Sequence, residues 1–289
     1  MNKFLEMFQH AATIHMLVGV GIISGLCAYL GVFVVLRRAE LAGAVLVQMS
    51  PMGIALALFL SGLMTSDAFK PVRFSPPLFA LVLTMVAAVL IALPHRERRP
   101  RYKTTVALAW LAVGALAVTV LASLAIVGAA SFVHARAEMI YLLFGNTVTI
   151  TTGGVVGLLV LACSMGLIHW LFYKEFLFVS FDPDMALALG KRVRLWNTAL
   201  FLTIGVTIAL AIRAAGALVV FSSLVLPPAT ALLLGRNLRA AFAISVITGV
   251  LGGLVGITIS YVFNLPSGPT VMVVNLALLL VAFAARRRP

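Results

Sequence analysis

Few side chains in this chain are equipped for chemistry, and their spacing narrows what that chemistry is. Glu138 and His134 stand four residues apart, which on a helix sets a carboxylate and an imidazole on one face, where they can share a borderline divalent cation. The same glutamate has a plainer use, as a partner of Arg136 or as a solvated group at a membrane edge. Gln48, Met49 and Met52 offer a carbonyl oxygen and two soft sulfurs in one segment. None of them replaces a charged carboxylate, and methionine on an apolar helix is ordinarily a gap filler. Cys27 and Cys163 fall inside apolar stretches, where packing is expected rather than a disulfide or a metal site. A phosphate-binding loop is absent: Gly190-Lys191 is followed by Arg192, and Met185 stands where the first glycine of G-x-x-x-x-G-K-[ST] belongs. His10, His15 and Asp67 read as surface groups, and His95 and His169 as structural groups at helix ends.

The elements that must position these residues are membrane helices. The 289 residues are 63% hydrophobic and 10% charged, where a soluble domain carries about a quarter charged. A spanning helix needs roughly 20 mostly apolar residues. Windows at 16–36, 41–64, 77–94, 105–133, 153–173, 196–212, 216–234, 240–263 and 270–285 meet that need, predicting an all-α polytopic bundle of eight to nine spans. The net charge of +13 does not point to nucleic acid, because 16 of the 21 lysines and arginines fall in alternate loops. Those loops include Arg37 and Arg38, residues 96–103, residues 174–194, Arg236 and Arg239, and the tail. The positive-inside rule then puts the N-terminus outside and the C-terminus in the cytoplasm. Residues 1–15 read as an interfacial lead-in without a cleavable-signal pattern, and residues 1–289 as a single transmembrane domain.

Small residues four apart (Gly21/Gly25, Gly153/Gly157, Gly249/Gly253, Gly252/Gly256) are expected to mark helix crossings, since lipid gives no hydrophobic drive for helix association and close contact must replace it. Two helix breaks are expected, at 213–216 and at Leu226-Pro227-Pro228, where the prolines cannot complete the hydrogen-bond ladder. Broken backbone at membrane depth would place 211–229 beside a pathway or deep in the bundle. The longest polar stretch contains FDPDMALALGK, residues 181–191. Asp182 suits an N-cap, Pro183 a first helical position and Gly190 a left-handed stop, predicting a capped helix of about two turns with Ala186 and Ala188 keeping one side thin. Such a helix is either a plain connector or a rigid element that docks in a partner's groove.

The segment FDPDMALALGKRV resembles the cytoplasmic "DPE-x-A-x-x-x-G" stretch of the zinc, manganese and iron permeases of ABC transporters. The likeness continues, in the family's order, through LGVFVVLRRAELAGAVL (30–46), AEMIYLLFGN (137–146), RAAGALVVFSSLVLPPATALLLGRN (213–237) and LPSGPTVMVV (265–274). The resemblance implies a homodimer carried on two cytoplasmic ATPase subunits and supplied by an extracytoplasmic metal-binding protein. It further implies a bacterial inner-membrane location, a metal ion as cargo and no cofactor of the chain's own. Within residues 181–195 it implies a coupling helix that uses Asp182, Pro183, Asp184, Ala186 and Gly190. Gln48, Met49, Met52, Glu138 and Pro227 become candidates for the pathway, with Glu138 and His134 the candidate metal ligands. One departure matters. Related permeases carry an aspartate and a histidine in a second-span stretch like "GDALSHAVLPG", where this chain reads GAVLVQMSPMG from Gly43 to Gly53, leaving Ala44 and Gln48 at those positions. That departure leaves open a divergent permease for a non-metal or chelated solute.

Two other classes fit less well. An ion-coupled secondary transporter needs titratable groups near the midplane, and the expected spans hold no aspartate, glutamate, lysine or arginine well inside. A membrane-embedded enzyme needs histidines paired with carboxylates within helical reach, and none are so placed.

Overall fold

The computed structural model describes residues 11–37, 39–63, 75–92, 101–128 and 150–286. His10, Asp67, His95, His134, Arg136 and Glu138 lie outside the described residues. The described chain folds into eleven helices: α1 Ala11–Leu36, α2 Glu40–Leu63, α3 Pro76–Ala92, α4 Arg101–Gly128, α5 Thr152–Leu171, α6 Tyr173–Phe181, α7 Pro183–Ala188, α8 Val193–Ala215, α9 Ala217–Leu234, α10 Leu238–Phe263 and α11 Ser267–Arg286. The all-helical expectation holds. Seven of the described helices are long and apolar enough to cross a bilayer, and the expected eight to nine spans go beyond that number. The third and fourth expected windows coincide with α3, of 17 residues, and with α4, of 28.

The helices gather into two groups. One packs α1, α9, α10 and α11 together; the other packs α2 and α8 against α3, and α2 against α4. Contacts of α1 with α8 and of α9 with α2 join them, and α5 lies outermost against α1. Large apolar side chains such as Val82, Trp110, Val160 and Val281 are more than half exposed, the outward face expected of helices bathed in hydrocarbon.

Glycine sets the closest approaches. At the crossing of α1 and α10, a Cβ on Gly249 would stand 2.5 Å from the Ala28 Cβ, and one on Gly25 would stand 2.9 Å from Val250. A Cβ on Gly256 would stand 2.6 Å from the Val271 backbone of α11. The Gly153/Gly157 pair departs from the expected pattern: a Cβ on Gly157 meets nothing among the described residues.

The two expected breaks have different outcomes. Gly216 does end α8 and start α9, with φ +85° that an L side chain rarely adopts. The second break does not occur, because α9 runs unbroken through Pro227 and Pro228. Pro228 removes the amide that would have bonded the Leu224 carbonyl, and α1 takes up that carbonyl: a Cβ on Gly31 would lie 2.0 Å from it. The carbonyl therefore occupies the space that a side chain at position 31 would take, and the helix runs on without interruption.

Candidate functional site

The two-turn segment folds as its residues dictate. The Asp182 carboxylate accepts from the Met185 amide at 2.9 Å, Pro183 occupies the first turn, and Asp184 adds negative charge where the helix dipole favours it. At the other end Gly190 takes φ +71°, its amide donates to the Leu187 carbonyl, and the Lys191 amide donates to the Ala186 carbonyl, both at 3.0 Å. This pair of bonds is the Schellman arrangement that satisfies the last carbonyls of a helix. Both ends of α7 are thus closed without help from a neighbour.

The faces of α7 differ from the simple picture of a thin alanine edge. Ala186 is fully buried and turns inward, toward α6 and α8. The outward surface belongs to Phe181, Met185, Leu187 and Leu189, all about half exposed or more. Beside them a recess of about 210 Å³ is lined by Lys174, Glu175, Phe178, Val179, Lys191 and Trp196. An apolar ridge with a mostly basic flank therefore leaves the bundle at this end.

A half-buried arginine holds the foot of this element. The Arg37 side chain, just past α1, donates from Nε to the Ser180 hydroxyl at 2.9 Å and from Nη1 to the Asn197 carbonyl oxygen. Its guanidinium stands 5.8 Å over the Phe201 ring. The Asn197 amide donates in turn to the carbonyl of Ala92, the last residue of α3, at 2.7 Å. Burial pulls the Arg37 guanidinium down to about 10, so it remains charged at neutral pH. Sequence reading took Arg37 only as a loop charge, because its partners lie 143 and 160 residues away. Nearby, His169 is buried, bonds Thr203 at 3.0 Å and is ringed by Tyr29, Phe33 and Phe176. That is the structural role expected of it.

The pathway candidates on α2 point different ways. Met49 is buried and lines an apolar cavity of about 390 Å³ with Val45 of its own helix, Leu83 and Ala87 of α3, and Leu108 of α4. Its surroundings are apolar, so it stands there as a packing residue. Ala44, Gln48 and Met52 recur every fourth residue on another face, all half-buried. Pro227 is buried in α9, near Gly249 of α10. Among the described residues no three His, Cys, Asp or Glu side chains group closely enough to hold a metal ion. Cys27 is buried, Cys163 is exposed, and both are free.

Residues 9–286 match the model of the ABC 3 transport family. The chain belongs to the ABC 3 transport family. This membership makes it a multi-pass transport component and not an enzyme. Within the family, it is 28% identical to the manganese transport system membrane protein MntC of Listeria monocytogenes over 266 residues, covering 92% of this chain and 86% of the relative. It is 26% identical to the high-affinity zinc uptake system membrane protein ZnuB of Haemophilus influenzae, covering 92% of this chain and 95% of the relative. The fold of this ABC 3 chain matches the structure described as PsaBC from Streptococcus pneumoniae in complex with Fab, with TM-score 0.78 at 20% identity, over 98% of this chain and 95% of that one.

Proposed function

We propose that the chain is the membrane-spanning permease subunit of an ATP-driven importer for a divalent transition-metal ion, manganese or zinc. The observation that carries this reading is the match over 92% of the chain to family members named for manganese and zinc transport. Two cytoplasmic ATPase subunits, a second copy of the chain and an extracytoplasmic binding protein complete the transporter. In the bacterial inner membrane about nine spans, with α3 and α4 supplying the two beyond the seven candidate spans, put the N-terminus outside and the C-terminus in the cytoplasm. The basic loops support that orientation: Arg37, Ala92, Ser180 and Asn197 meet at one end of the bundle.

In this reading α7 is the coupling helix, with residues 181–195 as its loop. Asp182, Pro183, Asp184 and Gly190 keep it rigid and Ala186 seats it. Met185, Leu187 and Leu189 enter the ATPase groove while Lys174 and Lys191 meet an acidic rim. A helix capped at both ends transmits a push that a loop would absorb. The half-buried stripe of Ala44, Gln48 and Met52 faces the second copy, and the ion passes along it. Glu138 and His134 serve the outer end of the same path.

A second reading, a chelated or non-metal cargo, draws on Ala44 and Gln48 standing where the family resemblance leads one to expect an aspartate and a histidine. Uptake of labelled manganese and zinc into liposomes holding the permease, its ATPase and its binding protein separates the two. The metal reading expects ATP-dependent uptake of at least one of these ions, competed by the unlabelled ion. Absence of both, with an intact complex that hydrolyses ATP, favours the chelate.

A further inference from the structure

We infer that Arg37 is a positioning residue that carries movement of α7 into both halves of the helix bundle; this rests on the reading of α7 as the coupling helix. Ser180, the acceptor for Arg37 Nε, lies two residues before the α7 cap Asp182. A displacement of α7 therefore reaches the guanidinium through the last turn of α6, where Ser180 is itself held by its bond to the Phe176 carbonyl. Arg37 directly follows α1, and α1 packs against α9 and α10. Its other bond goes to Asn197 in the second turn of α8, and Asn197 holds the end of α3 through the Ala92 carbonyl. α3 packs on α2, the helix that carries Gln48 and Met52.

One side chain thus links the docking element to the α1, α9, α10 group and to the α2, α3, α8 group. Only a guanidinium can do this. Its planar fork presents several donors in fixed directions, so two acceptors on different helices are held at a set angle. A lysine ammonium offers a point charge on a flexible stem and cannot fix that angle. The site is sheltered, with Phe201 under the guanidinium, so the bonds do not compete freely with water.

The test is the number of ions transported per ATP hydrolysed by the reconstituted importer, with Arg37→Met, Arg37→Lys, Ser180→Ala and Asn197→Ala compared at equal complex content. Arg37→Met lowers the ratio by about tenfold and the other three by roughly threefold, the size expected when members of one hydrogen-bonded network are lost. The double variant Arg37→Met with Ser180→Ala is no worse than Arg37→Met alone, because the shared contact is already gone. An unchanged ratio, fully additive effects, or a loss of transport and hydrolysis in equal proportion overturns the inference. Should Arg37→Met fail to assemble, Ser180→Ala and Asn197→Ala, each removing one bond, decide the matter by the same ratio. Met185→Glu and Leu189→Glu, assayed by co-purification of the ATPase, separate the two levels. If they retain the ATPase, the coupling reading itself is wrong; if they lose it while the Arg37 variants transport normally, only the role of Arg37 is wrong.

Discussion

Asp182 and Gly190 frame α7 by opposite means, one by a side chain and one by lacking a side chain, and their substitutions should behave accordingly. Asp182→Ala removes the acceptor for the Met185 amide and should destabilise the short helix by about 1 kcal/mol. Faster hydrogen exchange at the 185–191 amides, with the spanning helices unchanged, is the expected readout. Gly190→Ala forces an L residue to φ +71°, a strain of about 1–2 kcal/mol, although space around the position is open. Gly190→Asn should recover much of that loss, since asparagine visits the left-handed region with a local hydrogen bond. Equal exchange in all three variants would mean that the neighbouring helices, not the caps, hold α7. These roles were legible in the sequence because capping is local. The inward turn of Ala186 was not, because only packing against α6 and α8 decides which face of a six-residue helix is buried.

Between helices, the contact of α1 with α9 depends on Gly31 and Pro228 acting together. Proline leaves the Leu224 carbonyl without an amide, and glycine opens the space that receives it. Gly31→Ala should therefore cost about 1–3 kcal/mol through overpacking against backbone that cannot yield. A lower midpoint of thermal unfolding in detergent measures this. Gly157→Ala, where a methyl meets nothing among the described residues, should not lower the midpoint and should raise it slightly through helix propensity, so it serves as the control. The expected break at Pro227-Pro228 failed for a reason no single segment reveals: the compensation comes from a helix nearly 200 residues earlier. The Gly249/Gly253 and Gly252/Gly256 crossings were legible as spacing, but their partners were not. Spacing identifies a helix face, and pairing of faces is a property of the assembled bundle.

Taken entire, the chain is an apolar bundle whose described spanning helices hold almost no charge, with a capped ridge and a half-buried arginine at one end. Its class and the family resemblance could be read from hydropathy, charge placement and motif order. The span count was harder to read, since α3, at 17 residues, falls short of a full crossing by length. The orientation predicts that Ala188→Cys, exposed on α7, reacts with a membrane-impermeant thiol reagent only from the cytoplasmic side; labelling of intact cells would reverse it. The central claim is that this bundle has no fuel site and is driven through α7 by a separate ATPase. Accumulation of labelled manganese or zinc against a gradient tests it most directly, in liposomes holding the permease with or without the ATPase, the binding protein and ATP being supplied to both. Accumulation confined to the liposomes that hold the ATPase is the predicted result; uphill accumulation by the permease without it would contradict the account.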